Sequence, residues 1–205
     1  VDLIDEQVGR MMDALRVTSQ LENTIVIFTS DHGEMLGDHG IYLKGPFFYE
    51  PAIRVPLIVS WPGVFASGQR SQALVELTDL APTILEAVGI EPPPGMQARS
   101  LFPLLSGQAG LHSHREDIYS EYYNAMPWDK DPQAHATMVR TARWKLVAIH
   151  GLDEGELYDM EQDPTENVNL WGNPAFLSVK INMLKRLCDR MAWTVDPLPV
   201  RQGPW

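Results

Sequence analysis

The stretch Phe28 to Gly45, FTSDHGEMLGDHGIYLKG, holds the residues of this chain best suited to chemistry. Asp31 and His32 stand ahead of Gly33, the same triplet returns at Asp38, His39 and Gly40, and Lys44 follows, ahead of Gly45 and Pro46. A carboxylate oxygen beside an imidazole nitrogen suits a divalent cation such as Ca²⁺, Mn²⁺ or Zn²⁺, and a glycine behind the pair lets the backbone turn sharply. An isolated Asp-His-Gly is also an ordinary turn with a helix cap. The repeat of the triplet and the lysine beyond it are what favour a site. His39 has two readings, contact with a substrate oxygen or leaving group, and simple ordering of the loop. Lys44 either faces an anionic oxygen or lies along the loop surface with its ammonium in water. Glu34 and Asp38 read as solvated loop carboxylates.

Such residues need a scaffold to aim them. The run NTIVIFTS is short, β-branched and nearly continuously apolar, the pattern of a strand buried on both faces in a parallel sheet, and VPLIVSWPG (Val55 to Gly63) is a second such run. Asp31 and His32 then fall at the carboxyl end of a strand, the edge at which open α/β sheets bind ligands. Before it, Leu3, Ile4, Val8, Met11, Met12 and Leu15 share a helical face, with Glu6 and Arg10 spaced as an i,i+4 pair. After it, ELTDLAPTILEAVGI reads as a helix with a stripe of Leu80, Ile84, Leu85 and Val88, Pro82 in its first turn and Gly89 as its stop. Arg54 is expected to pair at the start of the second strand. This succession is α/β.

Beyond about residue 90 a proline- and glycine-rich connector leads into DIYSEYY, TMVRTARWKLVAI and GELYDM, the strands of a small antiparallel sheet. A last helix near Pro174 to Trp193 carries Phe176, Val179, Met183, Leu184 and Leu187, and the tail TVDPLPVRQGPW is too rich in proline for helix or central strand. His112 and His114 have zinc-like spacing, but no cysteine or further histidine is near and a loop role is expected. ELYDMEQDPTENVNL lacks the glycine and oxygen spacing of a calcium loop and reads as strand, turn at Asp163-Pro164, and the approach to a helix.

The 205 residues are 44% hydrophobic and 21% charged, enough for a proper core in one large domain or two small ones. A formal charge of −11 opposes non-specific binding to nucleic acid and to anionic membranes, and no run approaches the roughly 18 to 20 apolar residues of a membrane span. Cys188 is expected as a buried or half-buried structural residue on the last helix, and the want of disulfides leans toward the cytoplasm over the periplasm. Homo-oligomerisation stays open.

TIVIFTSDHGEMLGDHGIYLKG, EPAIRVPLIVSWPG, ELTDLAPTILEAVGI, RSLFPLLSG, VRTARWKLV and GELYDMEQDPTENVNL, taken in order, resemble successive blocks of the type I sulfatases of the alkaline phosphatase superfamily. The resemblance runs over most of residues 1 to 172. It implies hydrolysis of small sulfate monoesters at a divalent metal, usually Ca²⁺, by a formylglycine nucleophile. Asp31 and His32 match the late pair of metal ligands, and Lys44 matches the lysine that contacts the sulfate; His39 is a further catalytic candidate. Many sulfatases have asparagine where this chain has His32, and histidine there is similar to the phosphonate monoester hydrolase and iduronate-sulfatase-like branches. A phosphonate or phosphate ester hydrolase is therefore the alternative enzyme, and a non-catalytic binding or structural module the alternative of another class.

The resemblance also implies an early Asp-Asp metal pair and a Cys/Ser-x-Pro-x-Arg nucleophile motif in an N-terminal half, and neither occurs here. Cys188 is followed by Asp189, Arg190, Met191 and Ala192, and PLPVR has Pro197 where a nucleophile belongs. The expectation is thus the C-terminal part of a sulfatase, beginning at a truncation or processing point and inactive alone. Its fold is expected to be part of an alkaline-phosphatase-like α/β sandwich, a mostly parallel sheet with flanking helices, over residues 1–110. A small antiparallel-sheet α+β subdomain with its C-terminal helix and tail would follow over 111–205.

Overall fold

A computed structural model describes residues 1–123 and 135–195; the proline-rich reading of the tail falls largely outside them. The first helix, α1, spans Asp2–Val17 as its periodicity requires. Its apolar stripe is uncovered, however: no residue of α1 is buried, and Leu3, Ile4 and Met11 are 72%, 58% and 60% exposed. The Glu6–Arg10 pair does not form; Arg10 instead donates to Gln7 Oε1 at 2.6 Å. Exposed pairs one turn apart differ by only a few tenths of a kcal/mol, so a neutral partner at i−3 competes readily.

The two apolar runs become β1 (Val26–Thr29) and β2 (Leu57–Ser60), and they pair with each other antiparallel, Val26 opposite Ser60 and Thr29 opposite Leu57. This corrects the expected parallel relation of the two. The connection between them contains a 3-10 turn at Asp38–Gly40 and the four-residue helix α2 (Glu50–Ile53), neither long enough for a crossover helix, and the chain returns alongside itself. Nor are these strands buried on both faces, since Phe28 and Ile58 are 36% and 62% exposed.

Helix α3 (Leu80–Ala87) carries Pro82 in its first turn, and Gly89 beyond its end takes a left-handed φ of 72°. Its buried side is Pro82 and Thr83, whereas Ile84 and Val88 of the expected stripe face outward. A polar anchor chooses that face. Asp79, fully buried before α3, accepts hydrogen bonds from the amides of Glu76 and Arg99 and an ion pair from Arg115, while His114 Nε2 lies 3.2 Å from it. Thr83 Oγ1 donates to the Asp79 carbonyl and accepts from the amide of Leu101, just ahead of the short helix α4 (Phe102–Leu105) in the connector. His112 Nδ1 accepts from the amide of Gln72. Both histidines of the His-x-His motif therefore tie loops together. Arg54 is exposed and ends α2, with no ion pair among the described residues, against the expected pairing.

The later strands are β3 (Asp117–Tyr123), β4 (His135–Thr141), β5 (Trp144–Ile149) and β6 (Gly155–Asp159), an antiparallel sheet in sequence order. Alternation gives the sheet two faces. On one, Val139, Leu146 and Leu157 meet Met183 and Leu187 of the helix α5 (Leu177–Trp193). Each such buried side chain contributes about 1.5–3 kcal/mol. The other face carries Ala136, Met138 and Val147, against which Phe48 packs from the loop between β1 and β2. Cys188 is exposed, one position past Leu187 and rotated off the buried side of α5. The Asp163-Pro164 turn forms, with Asp163 Oδ2 accepting from the amide of Val168 at 2.8 Å.

Charged contacts bind α5 back to the rest: Arg190 pairs with Glu76 at 2.6 Å and with Asp117 at 3.2 Å, and Arg115 pairs with Glu76 at 2.7 Å as well as with Asp79. Removing the Asp79 carboxylate strands a nearly buried guanidinium and two amides. Asp79→Ala is expected to lose about 3–5 kcal/mol of stability in urea unfolding; a loss below about 1 kcal/mol would show that Arg115 finds another partner.

Candidate active site

β1 ends at Thr29, and the next residues turn by means of their own side chains. Ser30 Oγ donates to the His32 carbonyl at 2.8 Å, and Asp31 Oδ1 accepts from the His32 amide at 2.9 Å. Gly33 then donates to the Ala52 carbonyl at 2.8 Å, and a Cβ at this position would overlap the Pro51 carbonyl oxygen. The Asp31–His32 pair is thus seated directly on α2, at a separation only glycine permits.

Within the pair, Asp31 Oδ2 is 3.5 Å from His32 Nε2. The backbone hydrogen bond from His32 holds the Asp31 carboxyl below the usual carboxylate range, so it is anionic at neutral pH. His32 Nδ1 lies 2.8 Å from the Gly33 carbonyl, which can only accept. The proton therefore sits on Nδ1, and the Nε2 lone pair is turned toward the Asp31 side, the tautomer an imidazole needs as a metal ligand. Lys44 Nζ, partly buried, donates to that same Nε2. Gly45 behind it has φ 52°, and a Cβ there would stand 2.8 Å from the Phe47 ring.

Asp31, His32 and Lys44 therefore converge. His39 does not join them by any hydrogen bond among the described residues; it takes a left-handed φ of 53° and stacks on Tyr49, ring centroids 3.9 Å apart and 12° between planes. Asp38 is exposed and Glu34 caps its neighbour's amide. Among the described residues no group of three or more His, Cys, Asp or Glu side chains could hold a metal. What the chain offers a dication is two donors, the Asp31 carboxylate and the Nε2 nitrogen of His32. That donor chemistry fits one side of a divalent-metal site.

Three residues that sequence reading passed over lie beneath this group. Lys145 of β5, fully buried, pairs with Glu50 at 2.8 Å and Glu166 at 2.6 Å and donates to the Phe48 carbonyl at 3.0 Å. Burial pushes the Glu50 carboxyl up, but Lys145, by charge and hydrogen bond, with Arg140 and Arg54, brings it below the usual range. The available signal was a lysine second in WKLVAI, an otherwise apolar strand in which a cation needs a buried partner.

The model for the C-terminal region of N-sulphoglucosamine sulphohydrolase matches residues 37–192. The chain is 34% identical over 90% of its length to N-acetylglucosamine-6-O-sulfatase of Bacteroides thetaiotaomicron and 35% identical over 85% to choline-sulfatase of Rhizobium meliloti. It belongs to the sulfatase family of the alkaline phosphatase superfamily. The chain spans about a third of these curated relatives, 33% and 32% of their lengths. Its fold matches that of a sulfatase solved in complex with its substrate D-glucosamine-2-N,6-O-disulfate, with a TM-score of 0.83 and 31% identity over 93% of this chain and 38% of that one. It also matches phosphonate monoester hydrolase of Agrobacterium radiobacter, with a TM-score of 0.84 and 27% identity over 94% and 40%. The described residues include no helix long and apolar enough to cross a membrane. The mixed α/β architecture is thus that of the alkaline-phosphatase-like sulfatases.

The tight seat of Gly33 on α2 gives a direct test. Gly33→Ala is expected to cost about 1–3 kcal/mol by overpacking, read as a lowered denaturation midpoint with an unchanged slope. A variant as stable as the parent would mean that the Asp31 turn is free to lift off Pro51.

Proposed function

We propose that this chain is the C-terminal part of a sulfatase that hydrolyses small sulfate monoesters at a divalent metal, with Asp31, His32 and Lys44 forming one wall of the site. The observation that carries this reading is the convergence of an anionic carboxylate, a correctly protonated imidazole and a lysine ammonium just beyond the carboxyl end of β1. Residues 1–110 would belong to the catalytic α/β domain and residues 111–205 to a smaller subdomain beside it. The formylglycine nucleophile expected of the family would come from outside these residues, which contain no Cys/Ser-x-Pro-x-Arg sequence.

Asp31 Oδ2 and His32 Nε2 would hold the ion, Ca²⁺ first by the hardness of the carboxylate and Mn²⁺ or Zn²⁺ next by the imidazole. When bound, a dication supplies Lewis-acid polarisation of the ester oxygens. The Gly33 carbonyl keeps a His32 proton on Nδ1, which leaves Nε2 as the nitrogen facing Asp31 and Lys44. Lys44 brings a compact positive charge to the same place, where it can meet a sulfuryl or leaving-group oxygen as negative charge grows on it. His39, stacked on Tyr49, would serve by shaping the loop beside them.

A phosphonate or phosphate ester hydrolase is the second reading. It is favoured by the likeness to phosphonate monoester hydrolase, at a TM-score of 0.84, since tetrahedral anions can use the same three side chains. Turnover of aryl sulfate against aryl phosphonate by the full-length protein separates the two.

Two substitutions in the full-length protein test the assignments. Asp31→Ala is expected to lose metal and activity together, and His32→Ala to weaken Mn²⁺ or Zn²⁺ more than Ca²⁺, by metal analysis and calorimetry; parental metal content in Asp31→Ala would remove the pair as ligands. Lys44→Ala is expected to lower kcat by about 10² to 10³ at unchanged metal content, with Lys44→Arg only partly restoring it. Alanine activity within about twofold of the parent would place Lys44 outside the reaction.

A further inference from the structure

The wall formed by Asp31, His32 and Lys44 has two supports, and both lead to one buried ion pair. The first is α2: Gly33 rests on the main chain of Pro51 and Ala52, so the Asp31–His32 pair stands where α2 stands. The second is the segment that runs from Lys44 through Gly45 and Pro46 to the buried Phe48. Lys145 Nζ donates to the Phe48 carbonyl at 3.0 Å and pairs with the Glu50 carboxylate at 2.8 Å. Glu166 closes the node: its Oε1 takes Lys145 at 2.6 Å and its Oε2 takes the Glu50 amide, the first of α2, at 2.7 Å. Arg140 of β4 adds a contact to Glu50 at 3.2 Å.

Two features of the node exceed what packing alone requires. Lys145 is fully buried and Glu166 is 2% exposed, so both charges are desolvated for the sake of contacts to main-chain atoms of a loop far away in sequence. Glu166 also holds a left-handed φ of 59°, unusual for a residue other than glycine or asparagine and sustained only where its surroundings require that side chain at that place.

We propose that Lys145 and Glu166 are positioning residues of the active site, fixing the Phe48 carbonyl and the Glu50 amide so that the Asp31–His32 pair and Lys44 keep their mutual geometry. The proposal rests on the sulfatase reading for its catalytic consequence, but its structural half does not. Lys145 and Glu166 touch neither substrate nor metal; they act through α2 and the segment before it. Shifts of a supporting group are felt strongly at such sites, typically as a 10- to 100-fold loss in metal affinity or activity.

The test uses the full-length protein and three variants: Glu166→Gln, the double variant Lys145→Met/Glu166→Gln, and Leu187→Ala on the buried side of α5 as a control for general destabilisation. The double variant leaves fewer buried charges unmatched than Lys145→Met would alone, so it keeps a folded state in which the loop is no longer gripped. Read at matched distance below each melting temperature, Glu166→Gln and the double variant are expected to speed amide exchange over residues 30–45 by about tenfold or more. They are also expected to weaken Ca²⁺ binding and to lower kcat about 10- to 100-fold with KM within about twofold, while Leu187→Ala leaves exchange there and kcat at parental values. The proposal is overturned if folded double variant shows parental exchange over 30–45 and kcat within twofold, or if Leu187→Ala produces the same changes. If the parent itself neither hydrolyses an aryl sulfate nor binds Ca²⁺, the functional reading fails, and the exchange comparison still decides the positioning role.

Discussion

The desolvated ammonium of Lys145 is the constraint around which this structure is arranged. A buried cation must be met by carboxylates and carbonyls, and here they come from the strand-connecting loop and from the turn after β6. Such a pair is seldom more stabilising than well-packed apolar side chains of equal volume, because desolvation offsets most of the attraction. Its distinctive contribution is direction. Hydrophobic contact between Phe48 and the sheet would tolerate sliding; three donors on one nitrogen, matched to a carbonyl and two carboxylates, would not.

Seen from the sheet, the molecule has a simple logic. α5 covers one face with Met183 and Leu187, and the loop between β1 and β2 covers the other with Phe48 and the ion-paired α2. The loop therefore has an inner side that is core and an outer side that is the candidate site. Asp31, His32 and Lys44 are exposed or nearly so, yet their backbone is fixed from below. Function-bearing residues on a loop borne by a rigid scaffold are the usual arrangement, and here the scaffold is the later sheet as much as the strand that precedes them.

Local chemistry explains how much of this could be read in advance. Strand and helix positions followed from periodicity, so α1, β1, β2, α3, the four-stranded sheet and α5 lie where the apolar patterns put them. The Asp-His-Gly triplet and Lys44 were visible as types at a spacing, and they do come together. What periodicity could not convey was pairing direction, as with β1 and β2, or which face of a helix meets a buried polar group, as with α3 and Asp79. Cys188, expected buried or half-buried, lies exposed, and the stripe of α1 is a helical face as its spacing requires but has no cover: an apolar pattern states a preference for burial, not the presence of a partner. Lys145 and Glu166 escaped because their connection spans the chain, joining residue 48 to residues 145 and 166, and no local window contains it.

The grip on the loop is largely exerted on peptide groups, the carbonyl of Phe48 and the amide of Glu50, which every residue type except proline at the latter position can provide. Main-chain recognition is blind to the side chains it holds. Phe47 is exposed and Tyr49 is half-buried, and together with Pro46 they flank the anchored segment. Their side chains can drift through evolution, altering the shape and polarity of the surface beside the candidate site, while Asp31, His32 and Lys44 stay registered. A fold built this way can reshape the surroundings of its candidate site without moving the residues that form it.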